Sequence, residues 1–281
     1  MRYRYLILFL AGLLLPFAAA AQKETGTAAK DATSAEKQTG KEIYDEIGKR
    51  HGRRIEFEIQ KMTLTDDKGT EEIRDLKRYS RTVGPGEHRY LMVFHSPPSI
   101  RGTATITWKR RFKKDGHWIY LPAAGGKPVR LLNGGKKNYF MGTDFTAEDL
   151  TSEPSDKLSF ERLKNETLDG KEHFVIDVTP KDAELKAETG YKRRRLWIDK
   201  KNYFLMRTDY YDWRDTLVKR QTASNVKKIE DDTWRADTYL MENFKSGHKT
   251  RVDVIERNFD ESSVPLELFF ERTLTSGDHV R

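Results

Sequence analysis

The sequence predicts a mainly β protein built on a single curled antiparallel sheet of about eleven strands. Three observations carry this. Apolar and polar residues alternate with period two in one short run after another. Turn-forming groups such as Asp66-Asp67-Lys68-Gly69, Gly84-Pro85-Gly86 and Asp169-Gly170 separate those runs, the pattern of strands linked by hairpins. Helical spacing is confined to two short stretches near the ends. A sheet of so many strands must curl to bury its apolar face.

The chain has 281 residues with 36% hydrophobic and 34% charged content, enough for one large β domain with a highly charged surface. Arg2 and Arg4 followed by the apolar Leu6 to Phe17 and the small residues Ala18 to Ala21 read as a secretory leader cleaved near Ala21. The apolar run is too short to span a bilayer comfortably; retention as an anchor is the alternative. The expected compartment is the periplasm. With no Cys anywhere, disulfides, thiolate chemistry and lipid attachment at a cleavage-site Cys are excluded. Losing Arg2 and Arg4 takes the formal charge from +8 to +6, a balance that favours anionic lipid head groups over nucleic acid as a partner.

Residues 22–38 lack an apolar period and are expected to form a disordered tether, leaving 39–281 as the folded domain. Thr39 and Glu42 match a capping box for a short helix with Ile43, Tyr44 and Ile47 on one stripe and Gly52 at its end. From Arg53 the period is two. Ile55, Phe57 and Ile59 face one way and Glu56, Glu58 and Gln60 the other; Met62 and Leu64 break that parity, which predicts a bulge near Gln60 to Lys61. Further strands are expected at 71–83, 90–95, 102–108, 117–121 and 128–132. A weak strand is expected at 158–168, then others at 173–179, 191–199, 203–211, 217–229, 233–244 and 250–259. Ser263 is expected to cap a last short helix with Leu266, Phe269 and Phe270 on one face. The polar halves of the strands are expected to face water.

Tyr139 to Leu150 is the long irregular segment between the two blocks of strands. Gly142 allows a tight bend, Asp144 suits a turn cap, and Thr146 with Asp149 suits a helix start. Phe140, Met141, Phe145 and Leu150 are too apolar for an ordinary turn. The segment either lids an apolar hollow or is a tight connection pinned by its two phenylalanines.

Catalytic chemistry finds no support. The seven His show no metal-ligand spacing, and no Gly-x-Ser-x-Gly elbow is present. Gly134-Gly135-Lys136-Lys137 lacks the upstream Gly and the following Ser or Thr of a phosphate loop and reads as a basic hairpin tip. Asp144, Glu148 and Asp149 read as capping groups. Lys192 to Arg195 splits between two strand faces. No enzyme, metal or cofactor is expected.

Several stretches together are similar to the outer-membrane lipoprotein-sorting proteins, the LolA-like periplasmic carriers. They are Arg101-Gly-Thr-Ala-Thr-Ile-Thr-Trp108, Trp118-Ile-Tyr-Leu-Pro122 and Phe140-Met-Gly-Thr-Asp-Phe145 with Glu148-Asp149. Gly190-Tyr191, Trp197-Ile-Asp199, Tyr211-Asp212 and Lys219 complete the set. The resemblance runs from about Gly40 to the C-terminus. It implies an unclosed β-barrel with short helices as a lid and a hydrophobic cavity for the acyl chains of a lipid or lipoprotein. It also implies a neighbouring membrane exporter of the RND or MMPL kind, for which the chain would otherwise be an adaptor. On this footing Ile55, Phe57, Ile59, Met92, Phe94, Trp108, Trp118, Tyr120, Phe174, Ile176 and Trp197 are the cavity candidates. Ile43, Ile47, Phe140, Met141 and Phe145 are the lid candidates. The chain is expected to act as a monomer without nucleic acid.

Overall fold

Alternation and turn chemistry build fourteen strands into one antiparallel, unclosed sheet in the computed structural model, which describes residues 37–131, 137–151 and 153–280. The expected leader, the tether up to residue 36 and residues 134–136 of the basic tip lie outside them. The strands are β1 (Ile55–Thr65), β2 (Glu71–Gly84), β3 (Glu87–Phe94), β4 (Ala104–Lys109), β5 (Gly116–Tyr120), β6 (Pro128–Arg130) and β7 (Leu158–Arg162). They continue as β8 (Glu166–Leu168), β9 (Lys171–Pro180), β10 (Arg193–Asp199), β11 (Leu205–Tyr211), β12 (Leu217–Glu230), β13 (Thr233–Asn243) and β14 (Lys249–Asn258). The expected strand over 158–168 divides into β7 and β8, both paired with β9.

Strand order is β6-β5-β4-β3-β2-β1-β14-β13-β12-β11-β10-β9-β7. The chain starts in the middle of the sheet, meanders to one edge, and re-enters at the opposite edge before meandering back. β1 and β14 meet at the centre. The connection from β6 to β7 therefore has to travel from edge to edge across one face of the curled sheet, called the inner face below.

Helix α1 (Gly40–His51) begins on the expected capping box: Glu42 N–H donates to Thr39 Oγ1 and Thr39 N–H to the Glu42 carboxylate at 2.7 Å. Its buried Ile43 turns toward the sheet, where α1 lies against β7, β9 and β13. Gly40 permits this approach, because a Cβ there would sit 3.1 Å from Phe160 Cβ. α2 (Ala183–Glu188) and α3 (Glu271–Ser276) are short helices of 6 residues each.

Two apolar layers flank the sheet. On the inner face Met62, Leu76, Met92, Phe94, Met241 and Val252 pack against Phe140 and Phe145 of the crossing segment. On the outer face Ile55, Tyr79, Leu91, Val93, Ile106 and Trp118 pack against Val264, Phe269 and Leu274. The expectation that the polar halves of the strands meet water is corrected for β1, whose Glu56, Glu58 and Gln60 line the inner face, while the C-terminal segment covers the apolar outer halves of β1 to β5. That segment is tied down through two backbone carbonyls and one imidazole. Trp108 Nε1 donates to Phe269 O at 2.9 Å, Arg81 Nη1 to Val264 O at 2.7 Å, and His279 Nε2 lies 3.0 Å from Gly102 O. Ser263 is not its cap; a 3-10 turn at Leu266–Phe269 follows Pro265 instead.

The register shift of β1 against β14 falls between Ile59 and Gln60, but the extra residue is Ile255 on β14. β1 alternates without a break against β2, so Glu56, Glu58, Gln60, Met62 and Leu64 all share the inner face. This replaces the expected bulge in β1.

Phe269 is 1% exposed. Phe269→Ala is expected to destabilise the fold by about 3–5 kcal/mol, the range for emptying a buried aromatic site. Urea unfolding followed by tryptophan fluorescence measures it; an unchanged midpoint would mean that the C-terminal segment does not hold the outer face.

Candidate functional site

The crossing segment is a miniature hairpin laid on the inner face. Phe140 N–H donates to Phe145 O at 2.8 Å, Thr143 N–H to Phe140 O at 2.9 Å, and Tyr139 bridges Thr146. The turn needs positive φ at both central residues, Met141 at 48° and Gly142 at 75°, which glycine adopts without strain. The turn drives Phe140 and Phe145 into the inner core, with the Phe140 and Phe94 rings 5.5 Å apart. Residues 147–150 form a turn, not the expected helix start. Asp149 still caps it, accepting from Thr146 N–H at 2.7 Å.

Buried polar side chains pin this segment to strands of both halves of the sheet. Lys219 of β12 lies 2.5 Å from Asp149 and donates to Asp144 O at 3.1 Å, with both side chains of the ion pair almost inaccessible. Burial pushes the Lys219 ammonium below its usual value, and Asp149 works against that shift. The rings of Tyr139, Tyr191 and Tyr210 surround the ammonium at 5.1–5.3 Å. Burial beside Asp149 pushes the Tyr191 and Tyr210 hydroxyls well up, so both stay neutral donors. Asp144 accepts from Thr250 Oγ1 at 2.8 Å and from Asn243 Nδ2 at 3.1 Å. Glu148 accepts from Arg194 Nη2 at 2.7 Å, Gly190 N–H at 2.8 Å and Thr189 Oγ1 at 2.6 Å. Glycine at 190 eases that approach, because a Cβ would lie 3.2 Å from Glu148 Oε1 and push the carboxylate back slightly. From the far side, Arg74 of β2 donates to Met141 O at 2.6 Å.

Between segment and sheet lie two adjoining hollows. The first, of about 220 Å³, is mainly apolar. Its floor is Tyr90, Met92, Thr105, Thr107, His117, Ile119 and Leu131, and its roof is Tyr139, Phe140, Met141, Ala147, Leu150 and Thr151. The second, of about 210 Å³, is more polar, with Glu56, Glu58, Gln60, Gln221, Arg235 and Tyr239 facing Phe145, Asp149 and Leu150. Arg78, Met92 and Leu150 border both. A third hollow of about 200 Å³ lies beside α1 and includes Ile47, His51 and Phe204.

The structure divides the sequence-based candidates between the two faces. Met92 borders both lobes, Phe94 supports Phe140 from beneath, and Trp118 touches the rim of the apolar lobe from the outer core. Ile55, Phe57, Trp108 and Tyr120 belong to the outer layer under the C-terminal segment, and Ile59 shares their side of β1. Trp197 is also outward, under Arg207 at 4.0 Å. Phe174 packs on Tyr203, and Ile176 lies beneath the start of α1. Of the lid candidates, Phe140 and Met141 roof the apolar lobe and Phe145 the polar one, whereas Ile43 and Ile47 sit with α1. Sequence reasoning missed Glu56, Glu58, Arg78, Thr105, Thr107 and Ala147, whereas Leu150, singled out as too apolar for a turn, borders both lobes. The signal available was the parity of Met62 and Leu64, which places the glutamates of β1 inward. Among the described residues no group of three His, Asp or Glu is arranged to hold a metal, and no helix is long and apolar enough to cross a membrane.

Residues 86–276 match a protein-family model whose description reads "-like: Uncharacterized protein". No curated protein matches the chain. Among solved structures, the chain is 29% identical to one described as an outer membrane lipoprotein-sorting protein domain from Vibrio parahaemolyticus, with a TM-score of 0.77 over 86% of this chain and 99% of that one. A DUF1329 family protein from Desulfovibrio piger is 26% identical, with a TM-score of 0.77 over 84% and 97%. A LolA superfamily protein from Nitrosomonas europaea shares the fold at 18% identity, with a TM-score of 0.65 over 83% and 98%.

Removing one member of a buried ion pair strands the other, whereas neutralising both does not. Lys219→Met is therefore expected to cost about 3–5 kcal/mol, and adding Asp149→Asn to it should restore most of the loss. Chemical denaturation of the two single variants and the double checks this; additive losses would mean that the pair does not anchor the segment.

Proposed function

The chain belongs to the family of outer-membrane lipoprotein-sorting, LolA-like proteins, and from that premise we propose that it carries hydrocarbon, of a lipid or of an acylated protein, in the hollow beneath the segment 139–151. The observation that carries the reading is the apolar lobe of about 220 Å³ roofed by residues that the sheet itself does not supply. Each methylene moved from water into such a lobe contributes roughly 0.8 kcal/mol. Affinity then needs no reacting group, only a roof that can open. Delivery through the periplasm, in line with the leader expected from the sequence, and exchange with an exporter of the RND or MMPL kind are the finer part of the proposal.

Native mass spectrometry of protein gently extracted from its own envelope is expected to reveal co-purified lipid. A bare mass, together with failure to bind a fluorescent fatty acid, would overturn the reading. Ala147 lines the apolar lobe. Ala147→Phe should fill part of that space and weaken fatty-acid binding at least tenfold, an effect of about 1.4 kcal/mol, while the melting temperature holds; unchanged binding would place the cargo elsewhere.

A further inference from the structure

The polar lobe is built around charges that do not cancel. Glu56 accepts from Arg235 Nε at 2.8 Å and lies 3.2 Å from Arg257 Nε. Glu58 accepts from Arg257 Nε at 2.8 Å, Gln60 Nε2 at 2.7 Å and Arg78 Nη1 at 3.1 Å. Arg257 Nη1 also reaches Asp237 at 3.2 Å, and Asp237 is paired with Lys227 at 2.6 Å. Four cations thus meet three carboxylates. Asp149 borders the same lobe, but Lys219 matches its charge.

The surplus is concentrated at Arg78. Arg235 and Arg257 each hold carboxylates through more than one contact, whereas Arg78 has one hydrogen bond to a carboxylate for its five N–H donors. Its guanidinium stands where the polar and apolar lobes join. A guanidinium buried for the most part, with 23% of its side chain accessible, favours an anion that restores the balance. The space is modest as well. A cavity of about 150 Å³ admits a benzene-sized guest, so an apolar lobe of about 220 Å³ suits part of one alkyl chain and not three acyl chains side by side.

Building on the carrier reading, we propose that the hollow takes a single-chain amphiphile with an anionic head group, a carboxylate or a phosphate. Its tail lies in the apolar lobe, and its head is held on the free edge of Arg78.

The test is titration of the purified protein with dodecanoate, dodecyl phosphate, methyl dodecanoate and inorganic phosphate, repeated on Arg78→Gln and Arg78→Lys. At least one of the two anionic amphiphiles is expected to bind at least tenfold tighter than the neutral ester. Arg78→Gln should bring it down to the level of the ester without changing the ester, and Arg78→Lys should retain part of the preference. The tighter of the two anions identifies the head group, and displacement of dodecyl phosphate by inorganic phosphate would mark phosphate. Equal binding of ester and anions by the unmodified protein would overturn the proposal and leave the carrier reading standing. That comparison decides the matter even if the variants fail to fold. Binding of none of the amphiphiles would overturn the carrier reading along with it.

Discussion

The connectivity of the sheet sets the rest of the molecule. Because β1 and β14 pair at the centre, the chain leaves the first half at one edge and must enter the second at the other. The stretch that makes this passage has to cross an apolar surface, where bare backbone groups would be costly. Its composition answers that demand. Phe140 and Phe145 go down into the core, and the carbonyls of Met141 and Asp144 are met by Arg74 and Lys219. A connection thus becomes a roof.

The anchors of that roof are charged although they are buried. Buried ion pairs add little net stability over apolar replacements, but they penalise every arrangement that leaves one partner alone. Asp149 against Lys219 and Glu148 against Arg194 therefore fix where the segment sits more than how strongly it sticks. The same logic holds on the floor, where glutamates and arginines occupy wall positions that an apolar carrier would give to leucine.

Much of this could be read from the residues. The two-residue period and the turns located the strands, with the weak run over 158–168 hiding two short ones. The stretches that suggested a family converge in space: Phe140 to Phe145, Glu148-Asp149, Gly190-Tyr191 and Lys219 are the roof and its fastenings. Which face is inside was harder. In β1 the apolar Ile55, Phe57 and Ile59 look like the inner wall, yet they point outward, where Ile55 and Phe57 join a second core supplied by the C-terminal segment. Short-range pattern tells that a strand has two faces and not which of them a distant segment will cover. Likewise nothing local announces that Asp144 reaches Thr250 and Asn243 instead of its own turn.

The seam at the middle of the sheet bears on how the protein is made. Lys61 pairs with Asp253, so some two thirds of the chain's 281 residues separate two strands that lie side by side, while every other pairing but one joins close neighbours in sequence. Contacts so distant along the chain are slow to form because loop closure precedes any gain. The two meanders can zip locally, but the halves cannot be joined until the last strand has emerged. Until then the inner layer stays open, because Met62 and Leu76 come from one half of the sheet and Met241 and Val252 from the other.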